Sequence, residues 1–276
     1  MERIQEWIDV FDVVVWLLVL IFFLAFALIS GRDIGPVVLA SLGVVLIMTV
    51  VGVSIEVIID ILKNVKGLGT ILGFLTNGPE LLVLIVGIVV ADPLFGVSTP
   101  LGSNVANPVM FLLAVLITGM FVKLLQERLL YGVVCIFSTV ILAIVFYLLS
   151  EKLYAHWLLG SFVLASILFL VRPTEETIED DSGRVSLWLI FPALVGLLFA
   201  GYFLDSAVEF AGKVSGTPKG VIGFVVLATL SSWPEFKSFL VLLRRNRIQA
   251  ASMNVFVSNI TNIWLALIGV LVYLFF

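Results

Sequence analysis

Long apolar runs constrain this chain more than any other feature. A helix needs about 20 mostly apolar residues to cross a bilayer, and nine such runs follow one another between short charged loops. Their flanking charges mark them. Asp12 to Arg32 encloses the first. Asp33 to Glu56 encloses the second, which continues to about Leu62. The third spans Gly67 to Ala91 and the fourth lies between Asp92 and Lys123. The fifth runs from Arg128 to Glu151 and the sixth from Lys152 to Arg172. The seventh reaches from Arg184 to about Gly212, the eighth from about Lys219 to Leu243. The ninth begins at Ile248. Strands of a membrane barrel would show alternating segments of about 10 residues instead.

Composition agrees. Hydrophobic residues make up 62% and charged residues 12% of 276, against roughly 45–50% and about 25% in soluble domains. A soluble globular protein, a disordered chain, a disulfide scaffold and a nucleic-acid binder are excluded. The single Cys135 is expected to be a packed thiol, and the single His156 to pack or lie at the interface. The stretch before the first run carries four acidic residues and one basic residue. A cleaved signal needs a basic start, so the first run is expected to stay as a helix.

Lys and Arg concentrate on the cytoplasmic side of membrane proteins. Numbering the sides alternately, ten of these residues fall on the side of the N-terminus and four on the other. The expectation is a cytoplasmic N-terminus and an outer C-terminus. The absence of an organelle-targeting segment points to a prokaryotic plasma membrane. The domain reading is an N-terminal half over 1–171, an acidic cytoplasmic linker over 172–184, and a C-terminal half over 185–276. The linker contains Glu175, Glu176, Glu179, Asp180 and Asp181 and is expected to be solvated.

The two halves repeat each other. Thr76-Asn77-Gly78-Pro79-Glu80 precedes Gly102-Ser103-Asn104-Val105-Ala106-Asn107. Ser231-Ser232-Trp233-Pro234-Glu235 precedes Val257-Ser258-Asn259-Ile260-Thr261-Asn262. A constant shift of 155 aligns Pro79 with Pro234, Glu80 with Glu235, Ser103 with Ser258, Asn104 with Asn259 and Asn107 with Asn262. It also pairs the hydroxyls of Thr76 and Ser231. The repeats lie in spans three to four and eight to nine, an odd number of crossings apart, so they run oppositely through the membrane. Inverted repeats of this kind build secondary transporters with a site near the midplane. The fold class is therefore all-α integral membrane, with about nine transmembrane helices and two inverted-topology repeats.

An ionisable residue inside a span is a functional-site hypothesis by default. Glu80 and Glu235 each follow a proline, which removes a backbone donor and disrupts the preceding turn. Broken backbone at membrane depth is tolerated where protein or a water-filled cavity satisfies it. Ser103 and Asn107 share one helix face, as do Ser258 and Asn262. Together these elements offer two carboxylates, amides, hydroxyls and carbonyls. Such all-oxygen sets suit hard cations: calcium takes six to eight oxygens, and sodium could use the same atoms. No Cys or His is placed for a softer metal. Glu56, Asp60, Asp205 and Glu209 lie near span ends, and an interfacial position is expected for them.

The pattern resembles the sodium/calcium exchanger family, within the cation/calcium antiporter superfamily. That family carries two inverted repeats, each with a Gly-Thr-Ser-x-Pro-Glu motif and then Gly-Ser-Asn-x-x-Asn or Asp. The resemblance covers roughly 52–114 and 205–269, about half the chain. It implies that Glu80 and Glu235 are central calcium ligands and that Asn107 and Asn262 are polar ligands shared by the cation sites. It implies backbone carbonyls or hydroxyls from Thr76 and Ser231. Ser103, Ser258, Ser232 and Asn77 would border flanking sodium sites. It further implies alternating access, with spans two and seven sliding across a core. The sequence departs from the motifs at Leu75 and Leu230 for glycine, Asn77 for serine, Val257 for glycine, and the bulky Trp233. The family has ten core helices where nine are counted here.

Lys237 follows Glu235 by two residues and so points elsewhere on a helix. It is expected to face away and snorkel, or to pair with Glu209 or Asp205. The alternative is an ammonium inside the cation cavity, which disfavours a divalent ion and favours proton coupling. The leading function is a secondary-active cation antiporter exchanging calcium for sodium. Calcium/proton exchange and a non-transporting membrane protein that keeps the fold are the competitors. No enzyme motif or nucleotide loop is present. No cofactor is expected. The expected partners are the lipid bilayer and small inorganic cations, not nucleic acid.

Overall fold

The computed structural model describes residues 7–8, 10–126, 129–175, 186–218, 221 and 232–275. Among these residues the elements are helices, with no strand. They are α1 (Val10–Ile29), α2 (Ile34–Leu62), α3 (Leu68–Leu75), α4 (Gly78–Val89), α5 (Pro93–Thr118), α6 (Phe121–Gln126), α7 (Leu129–Leu148), α8 (Tyr154–Leu170), α9 (Ile190–Ser215), α10 (Trp233–Arg244) and α11 (Ile248–Phe275). One-turn 3-10 helices precede α8 and α9.

Eight helices among the described residues are long and apolar enough to cross a membrane, with α3 and α4 together making one of them. They fall on eight of the nine runs. The remaining run, Lys219 to Leu243, lies about half outside the described residues, and α10 makes up most of its described part. Large apolar side chains such as Leu130, Phe137, Leu148, Phe162 and Leu170 are exposed on α7 and α8. Apolar surface on this scale is rare on soluble monomers, and hydrocarbon is the solvent that suits it.

The chain forms two compact units, Met1–Ile61 with Arg184–Pro234, and Leu62–Gly183 with Glu235–Phe276. Each unit draws a piece from each half of the chain.

In the first unit α1, α2 and α9 are the long elements. Gly196 lets α9 approach α2, since a Cβ there would lie 2.6 Å from Ser54 Oγ. Ser30 Oγ donates to the Gly216 carbonyl at 3.2 Å, joining the ends of α1 and α9. Gly216 closes α9 at φ 71°, a conformation that glycine adopts without a Cβ clash. Trp233 donates its indole N–H to the Met48 carbonyl of α2 at 3.2 Å.

The second unit is built around α11. Twenty of its 28 residues are buried, and a helix covered all round belongs in a core. It packs against α3, α5, α7 and α8. Gly69 and Gly73, one turn apart on α3, meet it through small-residue packing of the kind that lets backbones touch within lipid. A Cβ on Gly73 would lie 2.8 Å from the Asn254 carbonyl. Gly87 and Gly96 bring α4 and α5 together in the same way, with 2.8 Å from a built Cβ to the opposing Cα. Several basic residues share one end of this unit. Arg247 donates to the Lys63 carbonyl, and Lys123 Nζ donates to Asn246 Oδ1 at 2.8 Å.

Candidate functional site

The breaks between helices position the candidate residues. α3 stops at Leu75, Thr76 caps it, and Asn77 precedes α4. Pro79 falls in the first turn of α4, where its missing N–H costs little. The same residue offers nothing to the Leu75 carbonyl, which fixes the interruption there. Glu80 thus sits in the first turn of a 12-residue helix, at the positive end of its dipole. Glu235 occupies the first turn of α10, also 12 residues long and also led by a proline. Both carboxylates are buried.

Direct contacts join most of the expected residues within the second unit. Ser103 Oγ donates to Glu80 Oε1 at 3.0 Å. Ser258 Oγ donates to Asn77 Oδ1 at 3.1 Å and accepts from Asn107 Nδ2 at 2.9 Å. Asn77 Nδ2 donates to the Gly73 carbonyl at 2.6 Å and the Ser258 carbonyl at 3.1 Å. Ser103 and Asn107 lie one turn apart on α5, and Asn77 and Glu80 three residues apart across the break. The two clusters therefore form one polar patch. Thr76 is buried and donates its hydroxyl to the Leu72 carbonyl at 3.0 Å, leaving oxygen lone pairs for another partner. Asn262 is buried, and neither of its amide atoms has a hydrogen-bond partner among the described residues. Ser232 is buried and falls in the first unit. Ser231 lies outside the described residues.

Three asparagines absent from the expected set, Asn104, Asn259 and Asn254, make further polar contacts in this unit. Asn259 Nδ2 donates to the Asn104 carbonyl at 3.3 Å and to Thr139 Oγ1 at 3.2 Å. Pro108 explains the first bond. Four residues after Asn104, it has no N–H to give that carbonyl, and the Asn259 amide supplies one. Asn104 and Asn259 are the pair that the shift of 155 superposes, so this contact joins equivalent positions of the two repeats. Their alignment is the sequence signal for them. Thr139 on α7 carries no such mark. Asn254 Nδ2 donates to Ser238 Oγ at 2.6 Å, and Ser238 Oγ donates to the Glu235 carbonyl at 2.7 Å. Asn254 stands one turn before Ser258 on the same face of α11, which is its signal.

Lys237 has no exposed surface, so its ammonium does not snorkel to an interface. Glu209, one partner expected for it, forms an ion pair with Lys213 at 2.8 Å. Cys135 is buried with Sγ 3.9 Å from the Phe256 carbonyl, as expected of a packed thiol. Among the described residues no cluster of three or more His, Cys, Asp or Glu could hold a metal ion. The oxygen set of the patch rests on amides and hydroxyls around single carboxylates.

Residues 185–274 match the family model described as sodium/calcium exchanger protein. The match covers about a third of the chain and contains the second repeat but not the first. With the eight membrane-length helices, it supports a multi-pass integral membrane protein of the cation-exchanger type of transporter. No curated protein and no solved structure matches the chain.

Proposed function

We propose that the protein is a secondary-active antiporter that exchanges calcium for sodium by alternating access. The observation that carries this reading is the pair of buried carboxylates, Glu80 and Glu235, each in the first turn of a proline-led helix of 12 residues. A carboxylate buried at membrane depth is expensive, and a cation offsets its charge. The amides support the same reading. Asn107 Oδ1 and both amide atoms of Asn262 are buried without a hydrogen-bond partner among the described residues. Leaving such a group unsatisfied costs about 1–3 kcal/mol, and an amide oxygen is a good ligand for a hard cation.

The repeats are inverted and meet at the Asn104–Asn259 contact. A residue that touches its own equivalent lies on the axis relating two copies. In this reading Glu80 and Glu235 are the central ligands, with Asn107, Asn262, Thr76 and Ser231 around them. Ser103, Ser258, Asn77 and Ser232 border the sodium positions. Orientation follows from the basic end of the second unit. Lys63, Lys123, Asn246 and Arg247 meet there, and a basic end faces the cytoplasm.

Calcium/proton exchange is a second reading, favoured by the burial of Lys237 beside Glu235 on one helix. An internal ammonium reduces the negative charge that a divalent ion needs. The test is calcium uptake into sodium-loaded proteoliposomes, with Glu80→Gln as the control. Uptake that follows the sodium gradient and is lost in the variant is expected. Uptake that follows a pH gradient and ignores sodium moves the assignment to proton coupling. No uptake under either gradient by the folded protein overturns transport and leaves a non-transporting role.

A further inference from the structure

Glu175 belongs to the acidic stretch that separates the two halves, and it is not solvated as a linker residue would be. It is 7% exposed. Its carboxylate accepts from Gly69 N at 2.7 Å, Thr70 N at 2.8 Å and Thr70 Oγ1 at 2.7 Å. Gly69 and Thr70 open α3, whose first N–H groups have no partner within the helix. A carboxylate suits that end of the dipole, and bonds to an ionised acceptor are stronger than neutral ones. Pro173, Thr174 and Glu175 line two cavities, an apolar one of about 160 Å³ and one of mixed lining of about 390 Å³ that also touches Lys66 and Arg172. Polar contacts therefore hold this strap more than close packing does.

The opposite end of α3 carries Thr76 and Asn77. The helix has eight residues, a rigid rod of about 12 Å. We infer that Glu175 is a positioning residue for cation binding: by holding the start of α3 it sets the register of Thr76 and Asn77 in the oxygen site. This rests on the antiporter reading. Reciprocity makes it two-way, because a contact that raises cation affinity is itself tightened by the cation. The linker between the halves thus senses occupancy of the site.

The test uses the full chain in phosphatidylcholine/phosphatidylglycerol vesicles, calcium as the only added divalent ion, and the variants Glu175→Gln and Glu175→Asp. Two quantities are read: sodium-driven calcium uptake against calcium concentration, and amide hydrogen exchange at Gly69 and Thr70. Glu175→Gln is expected to raise half-saturating calcium roughly three- to thirtyfold at unchanged maximal uptake. Glu175→Asp, which keeps the charge but shortens the reach, is expected to fall between. Calcium should slow exchange of both amides in the unsubstituted protein and do so less in Glu175→Gln. Faster exchange in Glu175→Gln with unchanged half-saturation overturns the inference, since α3 is then held for stability alone. Reduced maximal uptake at unchanged half-saturation overturns it as well. If the unsubstituted protein takes up no calcium and its amides ignore the ion, the antiporter reading itself falls.

Discussion

Asn104 shows how one absent N–H organises the centre of the polar patch. Pro108 denies its carbonyl the usual helical partner, and Asn259 supplies the donor from α11. The second repeat has Ile263 where the first has Pro108, so Asn259 keeps its own helical donor. A double substitution isolates this relation. Asn259→Leu should destabilise the protein by about 1–3 kcal/mol by orphaning a buried carbonyl. Adding Pro108→Ala should recover part of that loss, because an alanine at that position restores the N–H. Thermal unfolding in detergent measures both, and simple additivity of the two changes would contradict the account. Ser103→Ala removes the hydroxyl that donates to Glu80. It should alter half-saturating calcium while leaving the fold intact, a comparison that uptake and melting temperature make together.

The residues most legible in the sequence are those that repetition marks. Glu80, Ser103, Asn107, Ser258 and their counterparts stand out because polar residues are scarce and their spacing recurs. Asn104 and Asn259 were equally legible by alignment, but their role depends on the proline four residues beyond one of them. Thr139 was not legible. A hydroxyl in an apolar run usually bonds its own backbone, and Thr139 does this too, donating to the Cys135 carbonyl at 2.9 Å. Glu175 was hidden as one of five acidic residues in one stretch, where nothing local says which one docks.

At the scale of elements, α3 matters most, because it is short and meets α11 with almost no side-chain layer between. Gly73→Ala should destabilise the protein by about 1–3 kcal/mol, since the new methyl meets the backbone of Asn254. Gly102→Ala is the matched control. It lies inside α5 with nothing within 4 Å of a built Cβ. It should be neutral or stabilise by roughly 0.5–1 kcal/mol through helix propensity. Equal effects of the two changes in a melting experiment would contradict the close α3–α11 approach. This contact too was only half legible. Gly69 and Gly73 have the spacing of a helix-packing motif, yet the sequence does not name the partner helix.

At the scale of the whole molecule, the apolar runs gave the membrane class directly, and eight of nine have helices of spanning length. The division into compact units was not legible. A linear reading cuts the chain into halves at the acidic stretch, whereas each unit draws on both halves. Covalent order and spatial order therefore differ. The orientation makes a further prediction. In a Cys135→Ala background, Lys123→Cys and Lys152→Cys should react with an impermeant thiol reagent from opposite faces of the membrane. Labelling of Lys123→Cys from the cytoplasmic face and Lys152→Cys from the outer face is expected, and the reverse would invert the topology.

The central place of α11 bears on how the protein is made. Of the described helices it emerges last from the ribosome, yet α3, α5, α7 and α8 all pack on it. These earlier helices must wait in the bilayer with glycine and asparagine faces uncovered, shielded by lipid or by the insertion machinery. Biogenesis is then a late, single closure rather than a stepwise accretion. Nascent chains arrested before Ile248 should remain protease-sensitive between their helices, and those in which Ile248–Phe275 has inserted should become resistant together.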